Sequence, residues 1–164
     1  MKPPPGWVCL NSDGAVFGGL KRSSAGGVIR ACDGSWILGY NRSTGYCSPL
    51  QTELWGMLIG LKLAWDHGFR CVLLQSDCLM AVRLINDDST SVEHSSLIRS
   101  IGRLRRQHWT TRVEWIPRQA NKVADALSKI RHADDNELTL FSNPPVAILS
   151  LLSRDSQGPP YIRS

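Results

Sequence analysis

Residues 48–77, SPLQTELWGMLIGLKLAWDHGFRCVLLQSD, decide the architecture. Ser48 is an N-cap residue, Pro49 fits the first helical position and Gln51 stands where a capping-box partner belongs. Leu54, Leu58, Leu61 and Trp65 then recur at helical spacing, with Met57 and Ala64 widening the apolar stripe. His67-Gly68 supplies the stop. The next run, Cys71 to Ser76, is apolar without alternation, as in a strand buried on both faces. A capped helix leading straight into such a strand predicts a sheet covered by helices. Two acids mark element ends here. Glu53 lies in the first two helical turns, where the helix dipole favours a carboxylate, and Asp77 ends the strand.

Working outward, residues 7–17 read as a strand ending near Asp13-Gly14. Residues 26–31 and 36–41 are two more short strands around an Asp33-Gly34 hairpin turn. Beyond Asp77, Leu79, Val82, Leu84 and Ile85 mark a helix, and residues 86–91 a polar loop. Leu97, Ile98, Ile101 and Leu104 mark another helix, with Arg103, Arg105 and Arg106 on its outer side. Residues 112–116 form a strand closed by Pro117, and Asn121 caps a last helix carrying Val123, Asp125, Leu127 and Ile130. The order β-β-β-α-β-α-α-β-α predicts a mixed sheet with helices covering it.

The 164 residues are one domain by length, large enough to bury a core. MKPPPGW lacks the apolar run of a signal peptide, so an intracellular, non-secreted protein of nucleus or cytoplasm is expected. The apolar patch at 146–152 is too short to span a bilayer. Five cysteines form no CxxC pair and are expected as reduced thiols in core positions. The net charge of +5 is uneven. Between residues 97 and 131 the basic side chains of Arg99, Arg103, Arg105, Arg106, Arg112, Arg118, Lys122, Lys129 and Arg131 face only Glu114 and Asp125. Such a stretch suits a phosphate backbone, although alone it reads equally as a solvated helix face.

Asp13, Glu53, Asp77 and Asp125 each sit in apolar surroundings where a lone carboxylate is costly to bury. Singly, each has an ordinary explanation: a turn, a helix-end charge, an N-cap, a surface acid. Together, two strand-borne acids and two from helices converge on one sheet edge, where open α/β sheets bind ligands. Hard cations such as Mg²⁺ take oxygen ligands and are held by a few carboxylates plus substrate phosphate. Phosphoryl-transfer chemistry on nucleic acid is the function this set points to.

The segments GWVCLNSDGA, AGGVIRACDGSWILGY, SPLQTELWGMLIGLKLAWDHG, VLLQSD and VEWIPRQANKVADALSK, in that order, resemble type 1 ribonuclease H over residues 6–131. They are closest to the compact reverse-transcriptase-like domains of plant genomes and retroelements. The resemblance implies a ribonuclease H-like α/β fold: a five-stranded mixed sheet, three antiparallel hairpin strands then parallel ones, with helices on both faces. It divides the chain into a linker remnant at 1–6, the domain at 7–131 and a tail at 132–164 that is docked or disordered. It implies that Asp13, Glu53, Asp77 and Asp125 bind two Mg²⁺ ions about 4 Å apart, for which Mn²⁺ substitutes. Asp13 would bridge both ions, Asp125 serve the nucleophile side, and Glu53 and Asp77 hold the other.

The implied reaction is endonucleolytic hydrolysis of the RNA strand of an RNA–DNA hybrid, leaving 5′-phosphate and 3′-hydroxyl ends, by a monomer. The alternative is a non-catalytic hybrid- or RNA-binding module domesticated from a retroelement. Gly14, Ala15 and Gln51 are the candidates for contact with 2′-hydroxyls across the minor groove. Ser48, Arg118, Asn121 and the cluster Arg103, Arg105 and Arg106 complete the substrate-binding set. The chain departs from many relatives in having no histidine in the 117–120 loop and no basic handle near 86–91. Arg118 is the natural substitute in the loop, and slow but metal-dependent turnover is the expectation.

Overall fold

The computed structural model describes residues 4–18, 22–87, 96–130 and 137–157. Most of the expected 86–91 loop, the ends of both terminal segments, residues 132–136, His94, Arg131 and His132 lie outside the described residues.

Strands β1 (Val8–Phe17), β2 (Arg22–Ala31) and β3 (Trp36–Gly45) pair antiparallel in sequence order. The turn between β2 and β3 follows the sequence expectation: Gly34 takes a φ of 91°, and Asp33 Oδ1 accepts from the Ser35 backbone at 2.9 Å. β2 and β3 are longer than expected. β1 runs through Asp13-Gly14 instead of ending there, and β2 starts at Arg22. The serines that read as loop find partners across the strands. Ser23 Oγ lies 2.7 Å from Thr44 Oγ1, and Ser24 Oγ donates to the Arg42 carbonyl at 3.2 Å. Polar residues whose hydrogen bonds close within the sheet do not oppose burial.

Helix α1 (Pro49–Asp66) begins with the capping box read from the sequence: Gln51 N donates to Ser48 Oγ and Ser48 N to Gln51 Oε1. Caps of this kind stabilise a helix by about 1 kcal/mol. Strand β4 (Cys71–Ser76), helices α2 (Leu79–Asn86) and α3 (Ser96–Arg105), strand β5 (Thr110–Trp115), a 3-10 turn at Arg118–Ala120 and helix α4 (Lys122–Ser128) follow. β4 and β5 run parallel to β1.

The sheet has six strands, in the order β5-β4-β1-β2-β3-β6, one more than expected. The sixth, β6 (Leu138–Phe141), comes from the stretch read as a tail and pairs antiparallel with β3. Trp36 Nε1 fixes it by donating to the Phe141 carbonyl at 2.9 Å. Helix α5 (Val146–Gln157) then packs on α4 through the fully buried Ile148. A four-residue strand followed by two prolines carries too little periodicity to announce itself.

The sheet separates two cores. Leu10, Ile29, Tyr40, Leu54, Met57, Leu61, Leu74, Ile101 and Val113 lie on the α1–α3 side; Val28, Val123, Leu127 and Ile148 lie beneath α4 and α5. Adjacent Val28 and Ile29 serve opposite faces, as strand alternation requires. All five cysteines are unpaired, but each is only partly buried, so none is the full core residue expected. Among the described residues no helix is long and apolar enough to cross a membrane.

Candidate metal centre

The register of the sheet creates the site. Parallel pairing sets Asn11 beside Gln75, so two residues further on Asp13 and Asp77 emerge at the same edge. Glu53 reaches that edge from the first turns of α1, which can approach because residue 14 is glycine. A Cβ there would lie 2.8 Å from Thr52 Cγ2 and 3.1 Å from Glu53 N. One carboxylate oxygen from each of Asp13, Glu53 and Asp77 falls within 4.8 Å of the others.

A second glycine brings up the opposite face. Gly26 pairs with Asp13 across β1–β2, and a Cβ on it would meet Ser128 N at 2.6 Å. Its absence lets α4 press on the sheet and carries Asp125 towards the other acids. Asp125 stands apart from the cluster of three: its Oδ2 accepts from Lys129 Nζ at 3.1 Å, one helical turn on. Its charge is still felt, adding to the repulsion at Asp13 and Asp77.

The electrostatics are those of a site built to receive positive charge. Burial, then the Asp77 charge, pushes the Asp13 carboxyl up to about 7. Burial, then Asp13, pushes Glu53 up to about 9. Asp77 is also raised by burial, against the pull of Arg118, whose Nε lies 3.7 Å from Asp77 Oδ2. Among the described residues, buried Glu53 Oε2 has no hydrogen-bond partner. Native proteins seldom leave such an oxygen unsatisfied. An all-oxygen donor set with one orphaned carboxylate oxygen fits a hard divalent cation.

A stability prediction follows. Folded-state values raised above the unfolded ones mean that the folded chain keeps protons the unfolded chain has released, so metal-free stability falls as pH rises from about 4 to about 9. Added Mg²⁺ should therefore raise the melting temperature more at pH 8 than at about pH 5. Melting curves in EDTA and in Mg²⁺ across that range check this. A Mg²⁺ effect independent of pH, or equally large in Glu53→Gln, contradicts it.

The remaining candidates are distributed around this centre. Asp77 does not cap α2, since Cys78 holds that position, and Trp115 Nε1 donates to the Asp77 carbonyl at 3.1 Å. Gly14 N donates to Asp13 Oδ1 at 2.9 Å, and Ala15 follows it on β1. Asn121 is the N-cap residue of α4, as expected, although its side chain makes no cap bond. It is buried, and its Nδ2 donates to the Ser12 carbonyl at 2.9 Å, tying the start of α4 to β1 beside Asp13.

Of the arginines expected on the outer side of α3, Arg103 and Arg106 are exposed but Arg105 turns inward. Arg105 Nε donates to Thr111 Oγ1 at 2.8 Å and its NH1 to the Ile85 carbonyl at 3.2 Å. Lys129 was not singled out as a site residue. Its spacing of four from Asp125 in ADALSK was the signal available.

The reverse transcriptase-like family matches residues 11–130. A protein of Arabidopsis thaliana named a putative ribonuclease H protein is 35% identical over 159 residues, covering 96% of this chain. The chain spans about a quarter, 26%, of that relative's length. RNase H1 of the archaeon Halobacterium salinarum superposes with a TM-score of 0.65 at 24% identity, covering 74% of this chain and 94% of the other. The N-terminal RNase H domain of a Mycobacterium tuberculosis protein gives 0.68 at 23% identity, covering 74% and 90%. LC11 RNase H1, solved in complex with an RNA/DNA hybrid, gives 0.64 at 19%, covering 73% and 92%. With the family matched over most of its length and the sheet edge carrying the acids, this chain belongs to the reverse transcriptase-like family and has the ribonuclease H fold.

Proposed function

We propose that the chain is a divalent-metal-dependent endonuclease that hydrolyses the RNA strand of RNA–DNA hybrids, leaving 5′-phosphate and 3′-hydroxyl ends. The observation that carries this reading is the clustering of one carboxylate oxygen each from Asp13, Glu53 and Asp77 within 4.8 Å of one another. The relative named as a ribonuclease H protein and the fold neighbour bound to a hybrid support the choice of substrate. Asp13, Glu53 and Asp77 hold Mg²⁺, or Mn²⁺ in its place, and Asp125 completes the set from α4. A bound pair of such ions polarises the scissile phosphate and supplies a water acidified towards hydroxide. The protein acts as a monomer.

The chain's own groups do the rest. Capping of α1 uses Ser48 and Gln51 only as acceptors through Ser48 Oγ and Gln51 Oε1. The Ser48 hydroxyl proton and the Gln51 amide protons remain to donate, Ser48 to phosphate and Gln51 to a 2′-hydroxyl. Capping and substrate contact are therefore compatible in the same two side chains. The Gly14–Ala15 backbone lines the same edge. Arg118, with its side chain 91% exposed, reaches Asp77 from the loop that lacks histidine. Asn121 positions α4 rather than touching substrate.

Incubating the chain with labelled hybrid, single-stranded RNA and duplex DNA, with and without Mg²⁺, tests the proposal. Cleavage of the hybrid's RNA strand alone, and only with metal, is the expected result. No cleavage with Mg²⁺ or Mn²⁺ refutes it. Phosphate contacts make affinity fall with salt through counterion release. Arg103→Ala with Arg106→Ala should weaken hybrid binding and flatten that salt dependence. Arg105→Ala should instead lower the melting temperature, because Arg105 ties α3 to β5 and α2. An unchanged salt slope in the double variant would show those two arginines to be a solvated face.

A further inference from the structure

Two of the four acids at the metal centre, Asp77 and Asp125, are each held by a cation from their own neighbourhood. Arg118 Nε lies 3.7 Å from Asp77 Oδ2, and Lys129 Nζ lies 3.1 Å from Asp125 Oδ2. Among the described residues Asp13 and Glu53 have no such partner: Asp13 is bonded by the Gly14 amide, and Glu53 Oε2 is unsatisfied. Both cations are largely exposed, their side chains 91% and 58% open to solvent, so each can swing away without disturbing the core. They also come from different elements, the 3-10 turn after β5 and the C-terminal end of α4. The site is thus bracketed from two directions.

We propose that Arg118 and Lys129 are internal counter-ions that occupy Asp77 and Asp125 in the metal-free chain and are released to phosphate when metal loads. This rests on the reading of the acids as a metal centre for nucleic acid cleavage. The argument is one of competing charges. A divalent ion must share or take over the carboxylates these cations hold, and it repels both at short range. Once displaced, each side chain is a free cation at the rim of the site, where the charge of a nucleic acid backbone is the available partner. Metal and backbone therefore favour one another through Arg118 and Lys129, and the coupling is reciprocal by linkage. The same exchange would keep the centre from loading firmly in the absence of substrate.

The effect is modest, because exposed pairs are weak and screened. Arg118→Ala and Lys129→Ala should each tighten Mg²⁺ binding to the nucleic-acid-free chain by about 1.5- to fivefold, as read by calorimetry. Arg118→Lys and Lys129→Arg, which keep the charge, should bind Mg²⁺ as the wild-type chain does, and the melting temperatures should scarcely move. The second half of the proposal is read with duplex DNA, which offers the same phosphates without a cleavable RNA strand. Arg118→Ala should weaken DNA binding more in Mg²⁺ than in EDTA, since only in Mg²⁺ is Arg118 released. Mg²⁺ affinities unchanged in the alanine variants overturn this inference alone. A wild-type chain that binds no Mg²⁺ overturns the metal-centre reading together with it.

Discussion

Asp13→Asn is expected to lower metal-dependent cleavage of an RNA–DNA hybrid by about a hundred- to a thousandfold while leaving the chain folded. Loss of a single charge-stabilising group at an active centre costs about 10²–10³ in rate, and Asp13 clusters with Glu53 and Asp77 and feels the Asp125 charge as well. Asparagine keeps the oxygen that accepts from Gly14 N at 2.9 Å, so the strand need not rearrange. It also removes one of the buried negative charges that repel each other. The metal-free variant should therefore melt no lower than the parent at neutral pH, and Mg²⁺ should no longer raise its melting temperature. Cleavage assays and melting curves on one preparation separate the possibilities. Wild-type cleavage would remove Asp13 from the centre, and an unfolded variant would make it a structural residue.

Gly26→Ala should be among the most damaging small substitutions in the fold. The added methyl would lie 2.6 Å from Ser128 N, 2.7 Å from Ser128 Cα and 2.8 Å from Leu127 C. All three are backbone atoms, so no side chain can turn aside to make room. Overpacking of this kind costs about 1–3 kcal/mol, and here it falls on the contact that holds α4 to the sheet. Asn41 Nδ2 secures the same helix end by donating to the Leu127 carbonyl at 2.6 Å. Moving α4 outward strains that bond and withdraws Asp125 together. Denaturant unfolding should show the lost stability, and cleavage per folded molecule should fall as well. Unchanged stability would mean that α4 does not need this close approach.

How far the sequence carried the structure depended on how local each signal was. The Ser48–Gln51 capping box, the Gly68 stop after α1 and the Asp33-Gly34 turn are written in neighbouring residues, and all stand where expected. The extension of β2 to Arg22 depends on Ser23 and Ser24 meeting Thr44 and Arg42, some twenty residues away, which no local pattern records. Strand β6 exists because β3 leaves an edge and Trp36 bonds the Phe141 carbonyl across 105 residues.

The site divides in the same way. Asp13, Glu53 and Asp77 could be picked out because each sits at a recognisable place on a strand or helix. Asn121 stands at the cap position that the local sequence marks, but the bond its amide makes to the Ser12 carbonyl, 109 residues earlier, is written in no local pattern. Arg105 was misread as outward-facing because its partners, Thr111 and Ile85, lie on other elements.

The central claim is that carboxylates gathered at one sheet edge hold the divalent ions that cut RNA. Crystals of the chain soaked in Mn²⁺, with data collected at the manganese absorption edge, test it most directly. The account predicts an anomalous peak within ligand distance of Asp13, Glu53 and Asp77, lost in Glu53→Gln crystals treated in the same way. A well-ordered crystal at saturating Mn²⁺ with no peak among those three carboxylates would contradict it.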